Sequence, residues 1–406
     1  MKRVFLWTWV VAGIAAGHET RAESELTARF KWFSSAAALP DADAQRRETG
    51  TPAYDHNADL RVLARREAGR LRFIGDYSLT WVAGDSLSFG DSAHLDERPT
   101  EDSSRLMNLT QTLDEGSRHL FVHRFDRLAV EYRDERLAIT VGRQAVSWGG
   151  GHVFQPMDLF NPFAPTAVDR DYKPGDDIFL VERAFPRSTL QLLHVARREA
   201  NGDAGNHSYA AMWHGFLGAS EVEVMAARHY RDELVGVTLK APLGSTILRA
   251  EVVGSRLDHD GSRRVSGILN IDSAFLLFRR TGVMFAEYFR NGFGVDTLTP
   301  ELPAPLMHRL ARGELFNVMR DYLAVGANYQ WHPLWSQSLV WIGNLNDGSS
   351  LLQTSLTYDP SDSSRMQAGL VAALGGSREE FGGRPVAGEV TAGGGARAFV
   401  RFLYFW

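Results

Sequence analysis

From residue 24 onward this chain is written with a period of two. Leu26, Ala28, Phe30 and Trp32 alternate with Thr27, Arg29, Lys31 and Phe33. Leu323, Val325, Ala327, Tyr329 and Trp331 alternate with Tyr322, Ala324, Gly326, Asn328 and Gln330. The chain stops in the same way, with Ala398, Val400, Phe402, Tyr404 and Trp406 set against Arg397, Phe399, Arg401, Leu403 and Phe405. Such alternation specifies strands with one apolar face and one more polar face. It predicts eighteen strands, near 24–34, 57–67, 70–83, 121–134, 136–147, 177–185, 188–199, 206–217, 219–231, 233–242, 244–256, 263–277, 281–291, 320–332, 335–346, 349–359, 363–375 and 396–406. Many exceed the roughly five or six residues usual in soluble sheets. A tilted bilayer crossing needs about 9 to 11.

The connections sort by parity. The odd ones include all the long ones: 35–56, 84–120, 148–176, 292–319 and 376–395. The even ones are tight, as at Ala68-Gly69, Asp134-Glu135, Gly218 and Arg279-Arg280. Long loops at one end and short turns at the other are the pattern of an all-β transmembrane antiparallel barrel with an even strand number. A propeller would carry a repeat of about 40 to 50 residues, and none is present. After residue 22 there is no run of eighteen apolar residues, which excludes helical membrane spans.

Lys2-Arg3, the apolar stretch Val4 to Ala16 and the small residues leading to Ala22 read as a secretory signal peptide, 1–22, with the barrel over 23–406. The absence of cysteine excludes disulfide scaffolds, cysteine zinc sites and covalent haem. With 44 Lys+Arg against 49 Asp+Glu, no nucleic-acid partner is favoured. The histidines are scattered, with no His-Glu-x-x-His and no Gly-x-Ser-x-Gly. Hence no enzyme, metal centre or cofactor is expected. Trp32, Trp81, Trp148, Trp331, Trp335 and Trp406 fall near predicted strand ends, where ring systems settle at headgroup depth.

The connection 148–176 is the third long-side loop, with 29 residues, three consecutive glycines and four prolines. Connections that long require a function. It is expected to fold into the lumen and narrow it, with Gly149-Gly150-Gly151 as a hinge. Constriction candidates are Trp148, His152, Asp158, Asn161, Asp169, Arg170, Asp171, Lys173 and Asp176. The alternative is that these charges pair with one another and brace the loop. Strand parity points a second set inward: Arg29, Lys31, Arg61, Arg65 and Arg72 early in the chain, then Arg127, Glu131, Arg143, Arg249 and Arg264. Arginines gather on the first strands, and carboxylates such as Glu221, Glu223 and Glu251 on the middle ones. That split predicts a transverse field acting on a dipolar or anionic solute. The registers of 188–199 and 281–291 stay open, because a slip of one residue inverts a strand's faces.

The terminal Phe402-Leu403-Tyr404-Phe405-Trp406 resembles the assembly signal of Gram-negative outer-membrane barrels. Gly142-Arg143-Gln144, Trp148-Gly149, Asn161-Pro162-Phe163 and the run Asp169 to Asp176 resemble a proteobacterial porin-like family. The Gly-Arg-Gln element is also similar to the alginate-export type of eighteen-stranded porin. The resemblance implies a porin-type barrel without naming a solute. The expectation is a monomeric channel of the Gram-negative outer membrane, passing small polar, perhaps anionic, solutes. Its expected partners are outer-membrane lipid and lipopolysaccharide, and the barrel-assembly machinery through Trp406. The alternative is a closed structural or adaptor barrel that sheathes or anchors a partner protein.

Overall fold

The computed structural model describes residues 24–89, 102–160, 162–165, 167–168, 172–198 and 206–406; the expected signal peptide lies outside them. The strands are β1 (Ser24–Ala38), β2 (Ala53–Ala68), β3 (Leu71–Gly84), β4 (Thr110–Gly116), β5 (His119–Arg133), β6 (Leu137–Gln144) and β7 (Asp176–Phe185). Then come β8 (Ser188–Ala196), β9 (Ser208–Leu217), β10 (Ser220–His229), β11 (Asp232–Leu243), β12 (Thr246–Arg256), β13 (Arg263–Leu277) and β14 (Arg280–Arg290). The last are β15 (Asp321–His332), β16 (Trp335–Asn344), β17 (Ser350–Ser361), β18 (Ser364–Leu374), β19 (Arg384–Ala387), β20 (Val390–Ala392) and β21 (Ala396–Phe405). Four short helices lie in the long connections: α1 (Ala44–Thr49), α2 (Asp85–Phe89), α3 (Ala304–Ala311) and α4 (Glu380–Gly383).

Of these twenty-one strands, β4 and the β19–β20 hairpin are loop structure, and the remaining eighteen form one closed antiparallel circuit. Each pairs with its neighbour in sequence, and β21 closes on β1 from Arg29↔Phe405 to Ala38↔Ala396. The terminal residue takes part, since Trp406 N donates to Ala28 O at 2.9 Å. Closure of β21 on β1 removes the two terminal edges of the sheet, which is how an all-β chain satisfies its backbone where water is absent. The predicted strands match the eighteen wall strands to within a few residues.

The two faces are chemically opposite. Val235, Val252, Leu269 and Val325 point outward and are exposed, whereas Lys31, Asp59, Glu251 and Glu287 point inward and have no exposure at all. Trp331, Trp335 and Trp406 are exposed at the short-turn end, as an interfacial girdle requires. Trp148 is not part of a girdle. It is buried, its Nε1 donates to Gln191 Oε1 at 2.8 Å, and Phe160 packs edge-on against it.

Within the wall, β5 departs from strict alternation. The β3–β5 register pairs Asp76 with Arg127 and Tyr77 with Phe125, so Asp126 is an extra residue. This β-bulge turns Asp126 and Arg127 to the same buried side. Even-numbered residues Leu120, Val122 and Arg124 face inward above it, and odd-numbered Ala129 and Glu131 below it.

Candidate functional site

The long third connection begins where the wall is thin. β6 ends at Gln144, opposite Asp176 of β7, so β5 above Leu128 has no β6 partner. The second long connection fills that seat: β4 pairs with His119 to Arg124 of β5. Arg143 pins this repair. Its guanidinium donates to Asp177 at 2.9 Å, to Asp102 at 2.7 Å and to the Met107 carbonyl at 2.7 Å. Asp177 in turn accepts from Met107 N at 2.7 Å, and Asp102 accepts from Leu109 N at 2.7 Å. Arg143, expected on the pore wall, is therefore a fully buried clamp that ties the second long connection to β6 and β7.

From Gln144 the chain crosses to the far strands. Gly149 N donates to Glu223 Oε2 of β10 at 3.3 Å. Gly150 N and Met157 N donate to Glu251 of β12 at 3.1 and 2.6 Å. His152 N, Val153 N and Phe154 N all donate to Glu287 of β14, at 2.7, 3.0 and 2.7 Å. Buried carboxylates are costly unless bonded; here each holds loop amides that would otherwise be unsatisfied. The glycines serve this approach more than a hinge. Only Gly149 of the three has a left-handed φ, +87°, and a Cβ there would stand 2.7 Å from Glu251 Oε2. A Cβ on Gly150 would meet Lys240 Cε at 2.5 Å, and one on Gly151 would overlap the Phe154 carbonyl.

The returning half of the loop is braced internally. Lys173 Nζ donates to both oxygens of Asp158, at 2.5 and 2.7 Å, to Val146 O at 2.6 Å and to Ser147 Oγ at 3.1 Å. Burial pushes the Asp158 carboxyl up and the Lys173 ammonium down, and the opposite charge of each partner resists that shift. For this pair the bracing alternative describes the geometry. Asp176 lies 3.8 Å from Arg105 and 3.5 Å from Arg197. Asn161, Asp169, Arg170 and Asp171 lie outside the described residues. Tyr172 reaches the opposite wall, where its ring lies between Arg61 at 3.6 Å and Arg127 at 4.6 Å and its hydroxyl donates to Asp76.

Two walls of opposite character face one another across this loop. On β1, β2 and β5 stand Arg29, Lys31, Arg61, Arg65, Arg124 and Arg127, joined by three aspartates. Asp59 lies 3.2 Å from Arg29 and 3.4 Å from Arg61 and accepts from Ser78 at 2.9 Å. Asp126 pairs with Arg61, and with Arg124 at 2.6 Å, while Asp76 pairs with Arg65. Glu131 is 2.7 Å from Arg133, and Arg72 is 3.8 Å from Glu67 near the short-turn end. On β10 to β14 stand Glu221, Glu223, Glu251, Glu287 and Asp272, with two cations among them. Lys240 bonds Glu221 at 2.8 Å and Glu223 at 3.1 Å. Arg249 pairs with Asp272 and approaches His152 Nε2 at 3.0 Å. Burial and the Arg249 charge hold the His152 imidazole below its ordinary value. His152 also stacks on Phe285, at 4.8 Å. His214, Glu221 and Glu223 have metal-ligand spacing, but the Lys240 ammonium already bonds both glutamates. Between the two walls, β15 to β18 present Asn328, Ser336, Ser338, Gln353, Ser355 and Gln367, amides and hydroxyls without charge.

Arg29, Lys31, Arg61, Arg65, Arg127, Glu131 and Arg249 lie on the inward side of their strands. Arg264 shares the inward parity of Ser266, Ile268 and Asn270 but stands at the rim, its Nη1 donating to Arg263 O at 3.2 Å. Asp59, Asp76, Arg124, Asp126, Tyr172 and Glu287 also belong to this site, and none was among the sequence candidates. Asp59 and Asp76 had the inward parity that would have revealed them. Glu287 sat in a strand of open register, and Asp126 and Arg124 were hidden by the bulge.

No family model matches the chain, and no curated protein does. Solved structures share its fold. OccAB3 of Acinetobacter baumannii aligns with TM-score 0.56 at 10% identity, covering 95% of this chain and 99% of that one. OccK7 (OpdD) of Pseudomonas aeruginosa gives 0.52 at 11% identity, over 96% and 99%. OpdK of Pseudomonas aeruginosa, solved with vanillate, gives 0.53 at 10% identity, over 96% and 100%. At such identities the likeness is one of fold.

Proposed function

We propose that this chain is a monomeric channel of the Gram-negative outer membrane for small polar solutes, with a preference for anions. The loop 148–176 folds into the lumen as its constriction. The observation that carries the reading is the unequal use of charge across the loop. The carboxylates Glu223, Glu251 and Glu287 of one wall hold the loop's own amides. On the other wall six described cations, Arg29, Lys31, Arg61, Arg65, Arg124 and Arg127, meet Asp59, Asp76 and Asp126, while Glu131 is taken by Arg133 toward the short-turn end. A low-dielectric passage lined in this way focuses a positive potential. A neighbour solved with vanillate fits a channel of this class. The outward apolar face meets lipid, and the strand ending in Trp406 is the segment offered to the barrel-assembly machinery.

Deletion of residues 150–170 raises single-channel conductance in planar bilayers; an unchanged conductance would refute the constriction. The closed adaptor barrel draws on the complete burial of Lys31 and Asp59. It requires purified protein that does not conduct and that retains a protein partner.

A further inference from the structure

A second concentration of positive charge lies on the rim of the barrel, on the face turned away from the lumen. Arg228, Glu233, Arg256 and Arg263 are register partners in one lateral row across β10 to β13. The next outward row down is Ala226, Val235, Gly254 and Val265, in which Val235 and Val265 are 60% and 56% exposed. Below it come Val237 and Val252, then Leu239 and Leu269, all exposed. The arginines thus cap the edge of an apolar band. Arg256 bonds Glu233 at 3.3 Å, but it also stands directly opposite Arg263, and like charges so placed repel. Arg263 and Arg264 make no ion pair among the described residues; the Arg264 charge acts on Asp260 in the adjoining turn.

Beside this row an open cleft of ≈ 590 Å³ lies between β13–β14 and the segment Val295 to Pro305. Arg263, Arg264, Arg290 and Arg320 line it, with Val265 among them and Asp296 as the single carboxylate of the lining. Arg320 is engaged by Asp296 at 2.6 Å and Arg290 by Asp321 at 2.9 Å. Four guanidinium groups thus meet two acids, which leaves the cleft short of negative charge.

We propose that this rim cleft binds the phosphate of a phosphorylated, acylated glycolipid of the outer leaflet, a lipopolysaccharide. The phosphate sits against the outward Arg263 and Arg290, whose planar forks match its oxygens. The acyl chains run down over Val265, Val252 and Leu269. Basic groups at the edge of a membrane-facing apolar surface attract anionic headgroups. A soluble anion bound for the pore would gain nothing from the outward Arg256 and Arg263. The proposal rests on the outer-membrane reading given above.

The test uses the full chain, folded in detergent and titrated with bis-phosphorylated lipid A under native mass spectrometry. Dephosphorylated lipid A and inorganic phosphate are the comparison ligands. Phosphorylated lipid A binds at least about tenfold tighter than its dephosphorylated form, and inorganic phosphate does not displace it. The Arg263→Gln/Arg290→Gln variant binds it about thirtyfold more weakly. Equal binding of the two lipids by the unaltered chain overturns the site, as does a folded double variant that binds like the parent. Displacement by inorganic phosphate makes it a free-anion site and overturns the lipid assignment. Conductance is recorded alongside: a conducting protein without lipid discrimination overturns only the rim site. A silent protein that discriminates overturns only the channel reading.

Discussion

Glu287 accepts three successive loop amides and also the Asn270 side-chain amide at 3.1 Å. A carboxylate so placed is stabilised by donors it could not replace with water, and the donors have no alternative acceptor in a covered site. Glu287→Ala leaves the three amides unpaired. It should lower unfolding stability by about 3 kcal/mol and release the His152 to Phe154 segment. Urea titration of the folded barrel, followed by tryptophan fluorescence, measures the loss, and bilayer recordings should show added open-channel noise. A variant as stable and quiet as the parent would mean that the amides find other partners. His152 offers a smaller signal. Its lowered pKa means that it gains a proton only at a pH below that of an ordinary imidazole, beside Arg249, so anion preference should rise on acidification. His152→Gln removes that rise in reversal potential.

At the scale of elements, the long connections are built rather than loose. In the last one, α4 presents Glu380, whose side chain accepts from Val318 N at 2.7 Å, the Tyr322 hydroxyl at 2.6 Å and Asn344 Nδ2 at 2.7 Å. This one residue docks the final loop on the 291–320 connection and on β15 and β16. Burial raises its pKa to about 7, against the opposing pull of those hydrogen bonds. The folded state therefore keeps a proton that the undocked loop has already lost. The docking contribution is full below the ordinary glutamate value, declines as pH rises toward about 7, and is flat above it. Amide exchange in residues 376–395 should quicken across that window, and Glu380→Gln should abolish the pH dependence. An exchange rate that falls as pH rises, after correction for intrinsic chemistry, would contradict the assignment.

For the whole molecule, closure matters most, because it places strands far apart in sequence on facing walls. The transverse field follows from that placement. Arg29→Gln with Lys31→Gln should reduce anion preference, read as reversal potential in a salt gradient. The difference should shrink at about 1 M salt, where the screening length falls to about 3 Å. A preference that survives both substitutions at low salt would remove the basic wall from the selectivity account.

Alternation, strand length and the parity of the connections were enough to establish an eighteen-stranded barrel and the facing of Arg29, Lys31, Arg61 and Arg65, because inward and outward positions are a local property of an extended chain. The same rule failed at Asp126, where one extra residue changes the phase, and the sequence carries no mark of a bulge. The roles of Arg143, Asp158 and Lys173 were not legible, since a buried clamp and a pore-lining charge use the same residue types. Nor could the sequence tell that Glu251 and Glu287 hold loop amides from residues 101 and 135 positions earlier. Which inward side chain meets which loop amide depends on the radius and stagger of the closed barrel. That is a property of all eighteen strands together, and only the tertiary structure decides it.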